Sequence, residues 1–196
     1  MTQRARHSPA GFTLVEVLIG MSLSLVVMAA VLSSYLFIGR NLVRLANQQA
    51  LEAGGRRALD YFTRDVRMAT SVTSASDTAV TLAVPTATVA SAITYTYYGS
   101  VAVVGSVTVP AFSLVRRVDG GTPFIVVRNL VAGSFDLNYY DSDNVSITDF
   151  TDKRASIKKT SMTFSMQTGN AKSGTQTPVF RYASAYVILR NKELLQ

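Results

Sequence analysis

The sequence predicts an α+β protein in which one long N-terminal helix, apolar in its first half, packs on an antiparallel β-rich head. Three observations carry that expectation. Val17 to Gly39 is a run of 23 residues without a charged side chain, closed by Arg40. Behind it, apolar positions recur at steps of three and four as far as about residue 70. From Thr78 onward the period changes to two, the signature of half-buried strands.

Met1 to Gly11 reads as a leader and is set aside from the fold. Its Arg4 and Arg6, with no acidic residue beside them, place the amino end in the cytoplasm by the positive-inside rule. The apolar run behind it spans about 34 Å as a helix, enough for a hydrocarbon core of about 30 Å. Gly20, Ser22, Ser24, Ser33 and Ser34 interrupt it. They either let helices approach closely or are ordinary small residues of a membrane helix. Glu16 is the anomaly. A carboxylate in a membrane segment costs a few kcal/mol and needs a partner, unless it snorkels to the headgroups.

Gly11-Phe12-Thr13-Leu14-Val15-Glu16, with a basic leader before it and one apolar segment after, resembles a type IV prepilin. The resemblance implies a cut between Gly11 and Phe12 by a membrane-embedded aspartic peptidase, which also methylates the new amino terminus of Phe12. It implies that Glu16 is the acid that registers subunits in a filament. Such a cut supplies the partner that Glu16 needs, an α-amino cation on the same helix face or on an incoming subunit. The chain then divides into a leader at 1–11, a transmembrane and filament-core helix at 12–39, an amphipathic extension at 40–70 and an extracytoplasmic head at 71–196.

In the extension, Leu42, Leu45 and Gln49 begin one face, and Leu59, Phe62, Val66 and Ala69 continue it. Arg56, Arg57, Asp60, Arg64, Asp65 and Arg67 are expected largely opposite, with Asp60 and Arg64 as an i,i+4 pair. Gly54-Gly55 predicts a bend or local fraying, because each glycine costs about 1 kcal/mol relative to alanine. Thr70 to Asp77 reads as turn-forming sequence that ends a helix of roughly 90 Å.

The strands expected in the head are Ala79–Val84, Ala92–Tyr98, Val101–Val109, Phe112–Asp119, Phe124–Asn129, Ser134–Asp141, Ile157–Gln167 and Val179–Arg190. Ile93, Tyr95 and Tyr97 share one face, as do Phe135, Leu137 and Tyr139. Asp119-Gly120-Gly121 is a hairpin signal, and Gly169 to Thr177 a polar loop ended by Pro178. Helix first and antiparallel strands after gives the α+β class. The Arg56-Arg57-Ala58-Leu59, Arg64-Asp65-Val66-Arg67, Leu114-Val115-Arg116-Arg117, Phe135 to Asp141 and Val187 to Asn191 segments are similar to the larger minor pilins. These are the J-type minor pseudopilin of type II secretion and the W-type minor pilin of type IV pili. That resemblance implies a subunit that caps or primes a filament.

The sequence argues against catalysis. There is no Cys, and the single histidine, His7, lies in the leader, so a processed chain has no histidine-dependent triad, Cys–His dyad or His-ligated zinc site. Ser156 to Lys159 spells Ser-x-x-Lys but falls on an expected strand face. Asp141-Ser142-Asp143-Asn144 opens like a calcium loop, and Asp149 and Asp152 follow. It then departs from that pattern at Val145 and Ser146, so Asp141 and Asp143 stand only as calcium candidates beside the plainer reading of a solvated turn. No cofactor is expected.

Tyr95, Tyr97, Tyr98, Tyr139 and Tyr140 could stack nucleic-acid bases, but no Arg or Lys interleaves them, which favours sheet packing. Without Arg4 and Arg6 the chain keeps 17 basic against 12 acidic side chains, a scattered surplus that names no partner. The expected partners are other pilins or pseudopilins, the prepilin peptidase and methyltransferase, and inner-membrane lipid. The rival reading is a monomeric signal-anchored binding domain outside the cytoplasm, with DNA as one ligand class.

Overall fold

The computed structural model describes residues 11–85, 91–150, 153–167 and 179–190. The elements are α1 (Leu14–Met68), β1 (Ser71–Ala75), β2 (Ala79–Val84), β3 (Ser91–Tyr98), β4 (Ala102–Val104) and β5 (Val107–Val109). They continue as β6 (Ser113–Val118), β7 (Phe124–Val127), β8 (Asp136–Tyr140), a 3-10 turn at Arg154–Ser156, β9 (Lys159–Gln167), β10 (Val179–Ala183) and β11 (Val187–Ile188). One long N-terminal helix with antiparallel sheets makes the protein α+β and pilin-like in architecture. The chain forms two compact units, one ending at Ala46 and the other beginning at Asn47.

In the first unit the helix is apolar all round from Val17 to Gly39. An 18-residue window reaches a mean hydropathy of 2.4, and none of it is buried against protein. Three serine hydroxyls donate to carbonyls one turn back: Ser22 to Ile19 at 2.9 Å, Ser24 to Gly20 at 2.7 Å and Ser34 to Ala30 at 3.0 Å. Their polarity is thus consumed within the helix, which is what a lipid surround demands.

In the second unit α1 lays Leu51, Gly55, Ala58, Phe62, Asp65 and Val66 against the sheets. The larger sheet has the order β1-β2-β3-β6-β7, antiparallel throughout. In the smaller sheet β9 is central: Thr163 faces both Asp136 on β8 and Ala183 on β10, and Thr160 also faces Val187 on β11. Arg128 to Val131, the segment after β7, joins the sheets. Gln167 donates its N–H to Asn129 at 3.0 Å, and Val131 donates to Ser165 at 2.9 Å. The core is built from alternate strand positions, including Val80 and Leu82, Ile93 and Tyr95, and Met162, Phe164 and Met166.

Several expectations need correction. Ser71 to Ala75 is a strand, not a helix-ending turn. Val72 is buried, and the reversal into β2 is closed by Ser76, whose N–H reaches Ala79 O at 2.8 Å. β-Branched residues with one buried position outweigh the turn tendency of the serines. The run Val101–Val109 is two strands folded on each other, with Gly105 at φ +61° in the turn. Val179–Arg190 is likewise broken. Ser184 donates its N–H to Met162 O, and its hydroxyl accepts the Met162 N–H at 2.9 Å, between β10 and β11. The strand expected from Ile157 starts at Lys159, after the 3-10 turn.

On the helix, Gly54-Gly55 does not fray. Both lie inside α1, and Gly55 is buried where the Tyr182 ring comes closest. Arg64 turns to the Tyr61 ring, 5.2 Å from its centroid, and to Asp65 at 3.8 Å rather than to Asp60. Asp65 itself is on the inner face and fully buried. Its position three residues after Phe62 and seven after Ala58 already placed it there. The hairpin signal at Asp119-Gly120 does form a turn, with φ +49° and +68° and Gly121 N–H on Val118 O at 2.8 Å. The loop expected at 169–178 lies outside the described residues.

Candidate functional site: the amino end of the apolar helix

Thr13 is the N-cap of α1, and Glu16 sits at its third helical position. The Glu16 carboxylate Oε2 accepts both the Thr13 backbone N–H and the Thr13 hydroxyl, each at 2.9 Å. In return Thr13 Oγ1 accepts the Glu16 N–H at 3.3 Å. This reciprocal pair is a capping box, which satisfies two of the orphan N–H groups at the helix start. Sequence reasoning fixed on Glu16 and missed Thr13, although the Thr-x-x-Glu spacing was there to read.

Phe12, just outside the cap, is 88% exposed, and Gly11 has open space where a Cβ would stand. Among the described residues nothing packs over the peptide between them. Glu16 is anchored by the cap, so the amino end presents the Gly11–Phe12 peptide, an exposed aromatic and an oriented carboxylate within six residues. Arg4 and Arg6 lie outside the described residues.

The other candidates do not join this site. Asp141 Oδ1 accepts the N–H groups of Asp143 at 2.8 Å and Val145 at 2.9 Å. Across the same loop the Lys159 ammonium donates to Ser142 O at 3.1 Å and Asn144 Oδ1 at 2.6 Å. Backbone donors and a lysine organise this turn. Among the described residues no group of three or more His, Cys, Asp or Glu side chains converges. Asp152 is outside them. Ser156 and Lys159 are separated by the break between the 3-10 turn and β9, and Lys159 is engaged with the loop. Tyr95 and Tyr139 are buried, and Tyr97 stacks on Phe135 at 5.1 Å, so these rings serve the core.

A family model described as the prokaryotic N-terminal methylation motif matches residues 6–32. That stretch contains Gly11, Phe12, the capping box and 16 of the 23 residues of the apolar run. The chain has the amino end of a type IV prepilin-like protein. Neither a curated protein nor a solved structure matches it. The motif and α1, which among the described residues is the helix long and apolar enough to cross a membrane, support a membrane-anchored, single-pass protein. The motif implies a structural subunit that the prepilin peptidase processes and that assembles with other pilin subunits.

Proposed function

We propose that the chain is a minor pilin or pseudopilin that helps prime or cap a type IV pilus or a type II secretion pseudopilus. The observation that carries the reading is the motif at residues 6–32, seated on a helix whose capped amino end exposes the Gly11–Phe12 peptide. In this reading the peptidase cuts there and methylates Phe12, while Arg4 and Arg6 leave with the leader. The amino end faces the cytoplasm, and the head lies in the periplasm or beyond.

Glu16 then registers subunits. Its Oε2 is already held at the helix start by Thr13, so an incoming α-amino group meets an oriented carboxylate instead of a mobile one. The size and β-rich build of the head, with eleven strands among the described residues, support a minor rather than a major subunit. The J-type pseudopilin and the W-type pilin are the nearest role models.

The test is the intact mass and N-terminal sequence of the protein extracted from its own membrane. A chain beginning at N-methyl-Phe12 supports the proposal. A chain that retains Met1 to Gly11 beside an active prepilin peptidase overturns it in favour of a simple anchored domain.

A further inference from the structure

One flank of α1 in the head is left open, and β7 runs beside it. Ala50, Gly54, Arg57, Tyr61 and Arg64 follow one another at steps of four and three, so they line up along that flank. At its start Leu51 and Gly54 face Val126, Val127 and Met166 across a mainly apolar groove of about 310 Å³, with Arg128 at its rim. Further on, Tyr61 packs edge-on against the Phe124 ring at 5.9 Å. A smaller recess of about 130 Å³ opens there between Arg57, Asp60, Tyr61 and Arg64. Arg57 and Arg128 are exposed and, among the described residues, make no ion pair. Arg64 lies over the Tyr61 ring at 5.2 Å, and the acid it approaches at 3.8 Å, Asp65, is already hydrogen-bonded to Arg116. Against these three arginines, Asp60 is the one acid lining either recess. β7 is the last strand of the larger sheet, its residues Phe124-Ile125-Val126-Val127 carry no charge, and among the described residues no strand pairs with its outer edge. Such an edge is a template for pairing, which proteins ordinarily blunt with charge, proline or a covering element.

We propose that this seam is the docking surface for an extended, acidic segment of a partner protein. The segment lies along β7, with one large apolar side chain in the groove and a carboxylate between Arg57 and Arg64. Three separate features specify it. The uncharged open edge takes an extended chain by backbone pairing. The apolar groove takes its anchor, and the surplus of arginine sets the sign of its charge. Their spacing agrees. From Leu51 to the middle of the Arg57–Arg64 pair the helix rises about 14 Å, which an extended chain covers in about four residues. Side chains four apart on a strand point the same way, so the anchor and the carboxylate both reach the seam. An apolar centre with tyrosine and arginine about it is the make-up of a protein contact. A nucleic acid fits less well, because the Tyr61 ring that would take a base already carries the Arg64 guanidinium on its face. The proposal rests on the geometry of the head alone and is separate from the filament reading.

The experiment titrates the full chain, purified in nonionic detergent micelles, into the fluorescein-labelled peptide Thr-Thr-Leu-Thr-Val-Thr-Glu-Thr and follows anisotropy, with empty micelles as the blank. The peptide should bind, more weakly as salt is raised, and should slow amide exchange at Ile125 to Val127. Arg57→Glu/Arg64→Glu should weaken binding at least about tenfold, and so should Ala50→Trp, which fills the groove. All three positions are exposed, so both variants should melt as the wild type does. A peptide with lysine in place of its glutamate should lose the wild type and bind the Arg57→Glu/Arg64→Glu protein instead, a rescue that a misfolded variant could not give. No binding up to about 1 mM peptide would overturn the proposal. So would binding that ignores the charge reversal or leaves β7 unprotected. Tighter binding of a single-stranded oligothymidine, lost in the same variants, would assign the seam to nucleic acid and overturn it too. A full chain that dimerises without peptide, through a contact that Ala50→Trp abolishes, would overturn it in favour of a second copy.

Discussion

Adjacent glycines on α1 should respond oppositely to the same added methyl group. A Cβ on Gly54 would meet Met166 Cε at 3.7 Å, an ordinary contact beside a groove of about 310 Å³ that Leu51, Val126 and Arg128 also line. Gly54→Ala therefore gains the helix-propensity difference of about 1 kcal/mol with nothing to oppose it. A Cβ on Gly55 would lie 2.7 Å from Tyr182 Cδ1 and closer still to Cε1. The Tyr182 ring cannot simply retreat, since it stacks on Phe164 at 5.3 Å and its hydroxyl is buried.

Overpacking at such a site costs about 1–3 kcal/mol, and disturbing the ring pair about 0.5–1.5 kcal/mol more. Against the same propensity gain of about 1 kcal/mol, Gly55→Ala should destabilise by about 2 kcal/mol. For a 150-residue unit each kcal/mol moves the midpoint by about 2–4 °C. Near-UV circular dichroism of the tyrosines, followed through thermal unfolding in detergent, should show Gly54→Ala about 2–4 °C above wild type and Gly55→Ala about 4–8 °C below it. Adding Tyr182→Leu should remove most of the Gly55→Ala penalty, a departure from additivity that marks direct contact. A Gly55→Ala protein that melts as high as Gly54→Ala would refute the reasoning, because the close approach would then carry no energy.

Asp65→Ala strands Arg116 and Tyr95, which both donate to its Oδ2. It should lower stability by about 3 kcal/mol, the low end for a broken buried pair because Arg116 is 18% exposed, as read from denaturant midpoints. Thr13→Ala removes the cap donor and acceptor and should cost about 1 kcal/mol of local helix order, seen as faster amide exchange over the first turn with processing at Gly11 retained. Glu16→Val should leave cleavage and methylation intact, by mass, yet abolish recovery of the protein with sheared filaments. Asp119 is held below the usual aspartate range by the Ser91 hydroxyl at 2.5 Å and then the Ala92 N–H. A carboxyl depressed on folding adds stability that is full above the unfolded value near pH 4 and is lost as pH falls through the lower folded value. The melting-temperature gap between wild type and Asp119→Asn should therefore close on acidification below about pH 4 and stay constant above pH 6.

Much of this protein is local and therefore legible in the sequence. An uncharged run too long for anything but a membrane helix, the Thr13-x-x-Glu16 box and the Asp119-Gly120 turn each depend on residues within a few positions of one another. The Ala79–Val84 strand was readable to the residue, because its alternation is unbroken and one face is buried. The misreadings cluster where a partner far along the chain decides the outcome. Ser71 to Ala75 becomes a strand only because β2 pairs with it, and the Ser184 break exists to bond Met162. Gly55 looks like a weak point until Tyr182, more than a hundred residues later, fills the space above it.

The sequence by itself determined the apolar helix, the N-terminal methylation motif and the α+β class, since hydropathy and period are properties of neighbouring residues. Tertiary structure alone decided which strands join which sheet and that Asp65, on the inner stripe of the helix by its spacing, is bonded there to Tyr95 and Arg116. A charged residue on a helix is expected to face water, and only the arrival of a cation and a phenol from two distant strands makes its burial affordable.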